Sequence, residues 1–140
     1  MSVIVDTSIV LKWIIAEHDR PQALRLRQKW AELEEDIIAP PIFRPELANA
    51  LYQLTKRRIL SINEARVAYG EMEPIVAIRE PSDLALLALT VAGRLALPAV
   101  YDSFYLALSD IEQCECWTAD RRMVQAASGW PRLHLLAEIA

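Results

Sequence analysis

VIVDTSIVLKWI occupies residues 3–14. Val3, Ile4 and Val5 form a short, unbroken, β-branched apolar run, which predicts a strand buried on both faces of a parallel sheet. The run stops at Asp6. Thr7 and Ser8 follow, and either hydroxyl can cap a helix reaching about Trp13. A carboxylate ending a buried strand is either a helix cap or one part of a site. Acids elsewhere in the chain decide between the two.

Working outward, the chain alternates short apolar runs with helical periodicity. Asp19 caps a second helix with Pro21 in its first turn. Ile37-Ile38-Ala39 is a second strand, stopped by Pro40-Pro41. A third helix runs from about Ile42 to Arg58, and a fourth opens at Ser61-Ile-Asn-Glu64, a capping box. Ile75–Ile78 reads as a strand, and Ser82 caps a helix to about Leu95. Val100-Tyr101 leads into Asp102 and a helix to about Ile111. Glu115–Thr118 is a further strand, Asp120 starts a helix to about Ala127, and Leu133–Leu136 is an edge strand. This alternation implies an α/β sandwich with a mostly parallel sheet. The 140 residues suit one domain, residues 1–140.

The formal charge is −4, so any nucleic-acid contact must come from a local basic patch or a metal. Cys114 and Cys116 alternate along a strand and point to opposite faces, so they read as reduced thiols. Two histidines, His18 and His134, lack the spacing of zinc ligands. Asp6 interrupts the first apolar run too early for a signal peptide, and no run approaches a membrane span. A cytoplasmic protein with no membrane association is expected.

In open α/β sheets the functional crevice lies at the carboxyl ends of the strands. Asp6, Asp102 and Asp120 each fall at a strand-to-helix position in this reading. Taken singly, each is a good N-cap. On neighbouring strands, their charges repel, and a divalent cation removes that penalty. All-oxygen ligands favour Mg²⁺ or Mn²⁺. Glu46 opens the third helix at the same edge. Glu46, Asn49, Gln53 and Arg57 share a polar face, while Leu47, Leu51 and Leu54 form the core stripe. Asn49 is placed to hydrogen-bond a neighbouring carboxylate.

VDTSIVLKW, PELANAL, YDSFYLAL and WTADRRM, in this order and spacing, resemble a PIN-domain ribonuclease, in particular the VapC toxins of type II toxin–antitoxin pairs. The resemblance covers essentially the whole chain. It implies a PIN-like three-layer α/β/α sandwich. It matches Asp6, Glu46, Asp102 and Asp120 to an acidic quartet, Thr7 or Ser8 and Thr118 to supporting hydroxyls, and Asn49 to a polar helix neighbour. It also implies a homodimer, a cognate antitoxin and a 5′-phosphate product.

The expected activity is metal-dependent endoribonuclease cleavage. A cation on Asp6 and Asp102 would neutralise the phosphodiester and activate a water. Glu46 or Asp120 would hold that water, complete the metal shell or take its proton. Arg121, Arg122 and Arg57 are candidate RNA contacts; such contacts position RNA without selecting its sequence. Trp13, Trp30 and Trp117 read as core or interface. A phosphoreceiver domain is disfavoured because Lys12, Lys29 and Lys56 all lie on helices. A haloacid-dehalogenase-type phosphatase would want Asp where Ser8 stands. The remaining rival is a catalytically silent PIN-like module that binds RNA or protein.

Overall fold

The computed structural model describes residues 1–139. The chain runs β1 (Ser2–Val5), α1 (Thr7–Ile14), α2 (Arg20–Glu32), β2 (Asp36–Ala39), α3 (Phe43–Lys56) and α4 (Ile62–Met72), then β3 (Ala77–Ile78), α5 (Leu84–Leu95), α6 (Tyr101–Glu112), β4 (Cys116–Thr118), α7 (Arg121–Ala126) and β5 (Leu133–Leu135). Val3, Ile4 and Val5 are fully buried because β1 is the central strand. The sheet order is β3-β2-β1-β4-β5, and every pairing is parallel. The expectation of a mostly parallel sheet is met by a wholly parallel one, flanked by α1–α7. The order reverses at β1, so the crevice between the carboxyl ends of β1 and β4 is the fold's topological switch point.

Several local expectations are corrected. Asp6, not Thr7 or Ser8, is the N-cap of α1, and its carboxylate accepts from the Ile9 N–H. An acidic cap serves both the free N–H groups and the helix dipole. Ser82 does not cap α5, which starts after Asp83 without a side-chain cap. Only Ala77–Ile78 of the 75–78 stretch joins the sheet, because Pro74 sets up a 3₁₀ turn over Glu73–Ile75. Val100-Tyr101 is not a strand. Ala96 ends α5 in the left-handed conformation, and α6 begins at Tyr101. Those few intervening residues close a helical hairpin and leave no room to cross the sheet.

The capping box at α4 forms as read: Ser61 Oγ accepts from the Glu64 N–H at 3.0 Å, and the Ser61 N–H donates to Glu64 Oε1 at 2.9 Å. Ser61→Ala is expected to lower the thermal midpoint by about 2–4 °C, read by circular dichroism, without changing the carboxylate crevice. Trp13 and Trp30 are core residues, meeting edge to face at 6.4 Å. Trp13 Nε1 donates to the Ala23 carbonyl and ties α1 to α2. Cys114 and Cys116 are free thiols. Among the described residues, no helix is long and apolar enough to cross a membrane.

Candidate active site

The register of β1 and β4 builds the centre of the site. Val5 pairs with Trp117, so the next residues, Asp6 and Thr118, lie side by side at the carboxyl edge. Thr118 Oγ1 donates to Asp6 Oδ2 at 2.6 Å and accepts from the Asp120 N–H at 3.0 Å. Ser8 Oγ donates to Asp6 Oδ1 and accepts from the Ala119 N–H at 2.8 Å. Each hydroxyl is thus oriented by a backbone N–H and turns its own proton to the carboxylate. Asp6 is only 8% exposed. Burial pushes its carboxyl up to about 6; Ser8, Thr118 and the Ile9 N–H oppose the rise, and the Asp102 charge adds to it.

Glu46 stands in the first turn of α3, just after the prolines that stop β2. It is partly buried, and the Tyr105 hydroxyl donates to its Oε1 at 2.5 Å. Burial raises its proton affinity, Tyr105 holds it down, and the charges of Asp6 and Asp102 raise it further. Asp102 lies in the first turn of α6. Burial and the Asp120 charge raise its proton affinity, and the Arg122 guanidinium opposes them. Asp120 is the N-cap of α7: its Oδ1 accepts from the Arg122 N–H at 2.9 Å and lies 3.7 Å from Arg122 Nε.

Like-charge repulsion therefore links Glu46 to Asp6 and Asp102, and Asp102 to Asp120. Four carboxylates from distant parts of the chain share one edge, although Asp102 arrives from a helical hairpin and not from a strand. They do not form a closed cage. Among the described residues, no three Asp, Glu, His or Cys side chains are grouped so that they could hold a metal ion as they stand. Three of the four acids are held in place by partners of their own. Asp6 takes Ser8 and Thr118, Glu46 takes Tyr105, and Asp120 takes its own helix. As an all-oxygen, mutually repelling donor set, the four suit a hard divalent cation.

The other expected residues divide. Ser8 and Thr118 both hydrogen-bond the Asp6 carboxylate. Thr7 does not: its Oγ1 is buried beside the Tyr105 hydroxyl without a well-aligned hydrogen bond. Asn49 is exposed, and its side-chain carbonyl accepts from Gln53 at 3.5 Å in place of orienting a carboxylate. Its short side chain, one turn along α3, stays on the outer face. Arg57 lies at the far end of α3 from Glu46, about 16 Å along the axis. Arg121 and Arg122 are close by. With Lys12, His18, Gln22 and Asp120, they line a cavity of about 540 Å³. A similar cavity of about 550 Å³ opens at the opposite, amino edge of the sheet, between Lys29, Arg132, Glu35 and Glu112. It contains none of the four acids, so it is not the candidate site.

Tyr105 was not legible as a site residue. Within YDSFYLAL it reads as one more apolar position. The available signal is a tyrosine one turn beyond a candidate acid, inside the apolar run Phe104–Leu108 of the helix, because a buried phenol needs a partner.

The strand order and the acidic edge define a parallel α/β domain with a carboxylate crevice at its switch point. The PIN domain family profile matches residues 3–129, and the chain belongs to that family. PIN domains are generally nucleases. Two solved structures share the fold. The first is the Pyrobaculum aerophilum protein PAE2754, with TM-score 0.70 and 16% identity, over 99% of this chain and 91% of that one. The second is a chain of a Klebsiella pneumoniae toxin–antitoxin complex, with TM-score 0.67 and 18% identity, over 96% of this chain and 98% of that one. No curated protein matches in sequence.

Proposed function

We propose that this chain is a single PIN domain acting as a metal-dependent endoribonuclease, the toxin of a toxin–antitoxin pair. The observation that carries the reading is the convergence of Asp6, Glu46, Asp102 and Asp120 at the switch point of a PIN-family chain. The similarity of fold to a chain from a toxin–antitoxin complex supports an antitoxin partner. A VapC-like homodimer in the cytoplasm completes the reading.

Asp6 and Asp102 would hold Mg²⁺ or Mn²⁺, with Glu46 and Asp120 contributing directly or through water. When bound, such a cation neutralises a phosphodiester and makes water more acidic. The remaining steps belong to the protein. Ser8 and Thr118 fix Asp6 so that it keeps its place when charged. Tyr105 engages Glu46 through Oε1. The raised proton affinity of Glu46 suits it to take a proton from an attacking water, and Asp120 is the other acid available for that role. Arg121 and Arg122 would contact phosphates beside Asp120. In-line attack by water would leave a 5′-phosphate on the downstream fragment.

The purified protein is expected to cut RNA with Mn²⁺ or Mg²⁺ and to stop in EDTA, with cleavage restored by excess metal. Asp102→Asn should remove cleavage while keeping the fold, because Asp102 lies at the surface with its carboxyl only partly shielded. Gel assays of total RNA test both. The open spacing of the acids favours one rival, a PIN-like module that binds RNA or protein without cutting it. RNA binding without cleavage at any metal concentration would establish that rival.

A further inference from the structure

We propose that Tyr105 is a positioning residue of the carboxylate site: its buried hydroxyl, one helical turn beyond Asp102, fixes Glu46 so that α3 and α6 present their acids to one divalent cation. The inference rests on the reading of the chain as a metal-dependent nuclease. Tyr105 is among the largest fully buried side chains, 1% exposed. Packing alone would be served as well by phenylalanine, and a buried hydroxyl without a partner is costly. The partner it has is Glu46 Oε1, at 2.5 Å, from an element 59 residues earlier in the chain. Thr7, next to Asp6, flanks the same hydroxyl. Tyr105 therefore sits between Glu46 and the β1 edge while sharing a helix with Asp102.

This placement opposes a specific force. The charges of Asp6 and Asp102 repel Glu46, and a partly buried glutamate with a flexible side chain would otherwise swing away from them. At neutral pH a phenol donates its proton, so it attracts the carboxylate where its neighbours repel it. Because α6 carries both Asp102 and Tyr105, one helical turn sets where two of the four acids stand relative to each other.

The test is a double-mutant cycle read by calorimetric titration of Mn²⁺ into wild type, Tyr105→Phe, Glu46→Gln and the double variant. Tyr105→Phe should weaken Mn²⁺ binding by about 10–100-fold, the usual cost of losing a group that orients a metal ligand. In the Glu46→Gln background there is no carboxylate to fix, so the same change should alter affinity by less than about threefold. Equal losses in both backgrounds would mean that Tyr105 acts through packing, and wild-type affinity in Tyr105→Phe would mean no role; either result overturns the inference and leaves the functional reading standing. A wild-type protein that binds no Mn²⁺ overturns both.

Discussion

Asp6→Asn is expected to lose nearly all RNA cleavage and yet to unfold at a higher temperature than the wild-type protein at pH 7.5. The Asp6 carboxyl titrates at about 6 in the folded chain against 3.8 for the free side chain, chiefly because it is buried. Between those values the folded state binds more protons than the unfolded state. The stability contributed by this group is therefore complete below about pH 4 and is lost as pH rises through 6. The gap corresponds to about 3 kcal/mol. Asparagine is neutral at every pH and also serves as an N-cap. It can donate to one of the two hydroxyls, each of which can rotate to accept. After allowing for weaker hydrogen bonds from Ser8 and Thr118, a net gain of about 2 kcal/mol at pH 7.5 remains. That is about 5 °C in the midpoint for a chain of this size. The gain should vanish at pH 4, where Asp6 is already protonated. Cleavage should fall by about a thousandfold, the order expected on removing a principal charge-stabilising group. Thermal melts at the two pH values, beside a cleavage assay, check all three outcomes. A variant less stable than wild type at pH 7.5 would contradict the description of Asp6 as a strained, buried charge.

Thr118→Val is expected to lose both stability and activity. Valine matches threonine in shape, so the packing survives. The Thr118 hydroxyl is fully buried and serves two groups: it donates to Asp6 Oδ2 at 2.6 Å and accepts from the Asp120 N–H at 3.0 Å. Removing it strips a buried carboxylate of a donor and leaves an N–H short of its acceptor. The expected cost is about 2–4 kcal/mol at pH 7.5. Asp6 would then be harder to ionise than in wild type. Because metal binding needs the ionised form, the acid limb of the pH–rate profile should move to higher pH. Activity at pH 7.5 should fall by about 10–100-fold. The stability difference should narrow as pH falls through 6, where the carboxyl becomes neutral in both proteins. Urea unfolding and pH–rate profiles measure these effects. Wild-type stability and activity in Thr118→Val would show that the hydroxyl pair does not hold Asp6.

The two predictions share one feature of the sequence. Val3–Val5 is legible as a central strand because β-branched residues without polar alternation are what a strand covered on both faces needs. Asp6 and Asp120 are legible because each follows such a run almost at once. Glu46 is legible because prolines end one element and a periodic helix begins the next. The position of Asp102 at this edge is legible but its support is not, since a helical hairpin delivers it, and a hydrophobic pair before an acid does not distinguish a strand end from a hairpin turn. The Ser8–Asp6–Thr118 network depends on the register of β1 against β4, which no local pattern carries. The Tyr105–Glu46 bond likewise joins distant helices. The polar face of α3 suggested Asn49 as a carboxylate partner, but periodicity places a residue on a face without saying how far its side chain reaches.

In the proposed reading, four carboxylates at the sheet's switch point serve hydrolysis of RNA by water with a divalent cation. The most direct measurement is the chemistry of the new 5′ ends formed when the purified protein cleaves RNA in Mn²⁺. 5′-Phosphate ends that appear only with metal are expected. Ends bearing a 5′-hydroxyl, or cleavage that persists in EDTA, would contradict it.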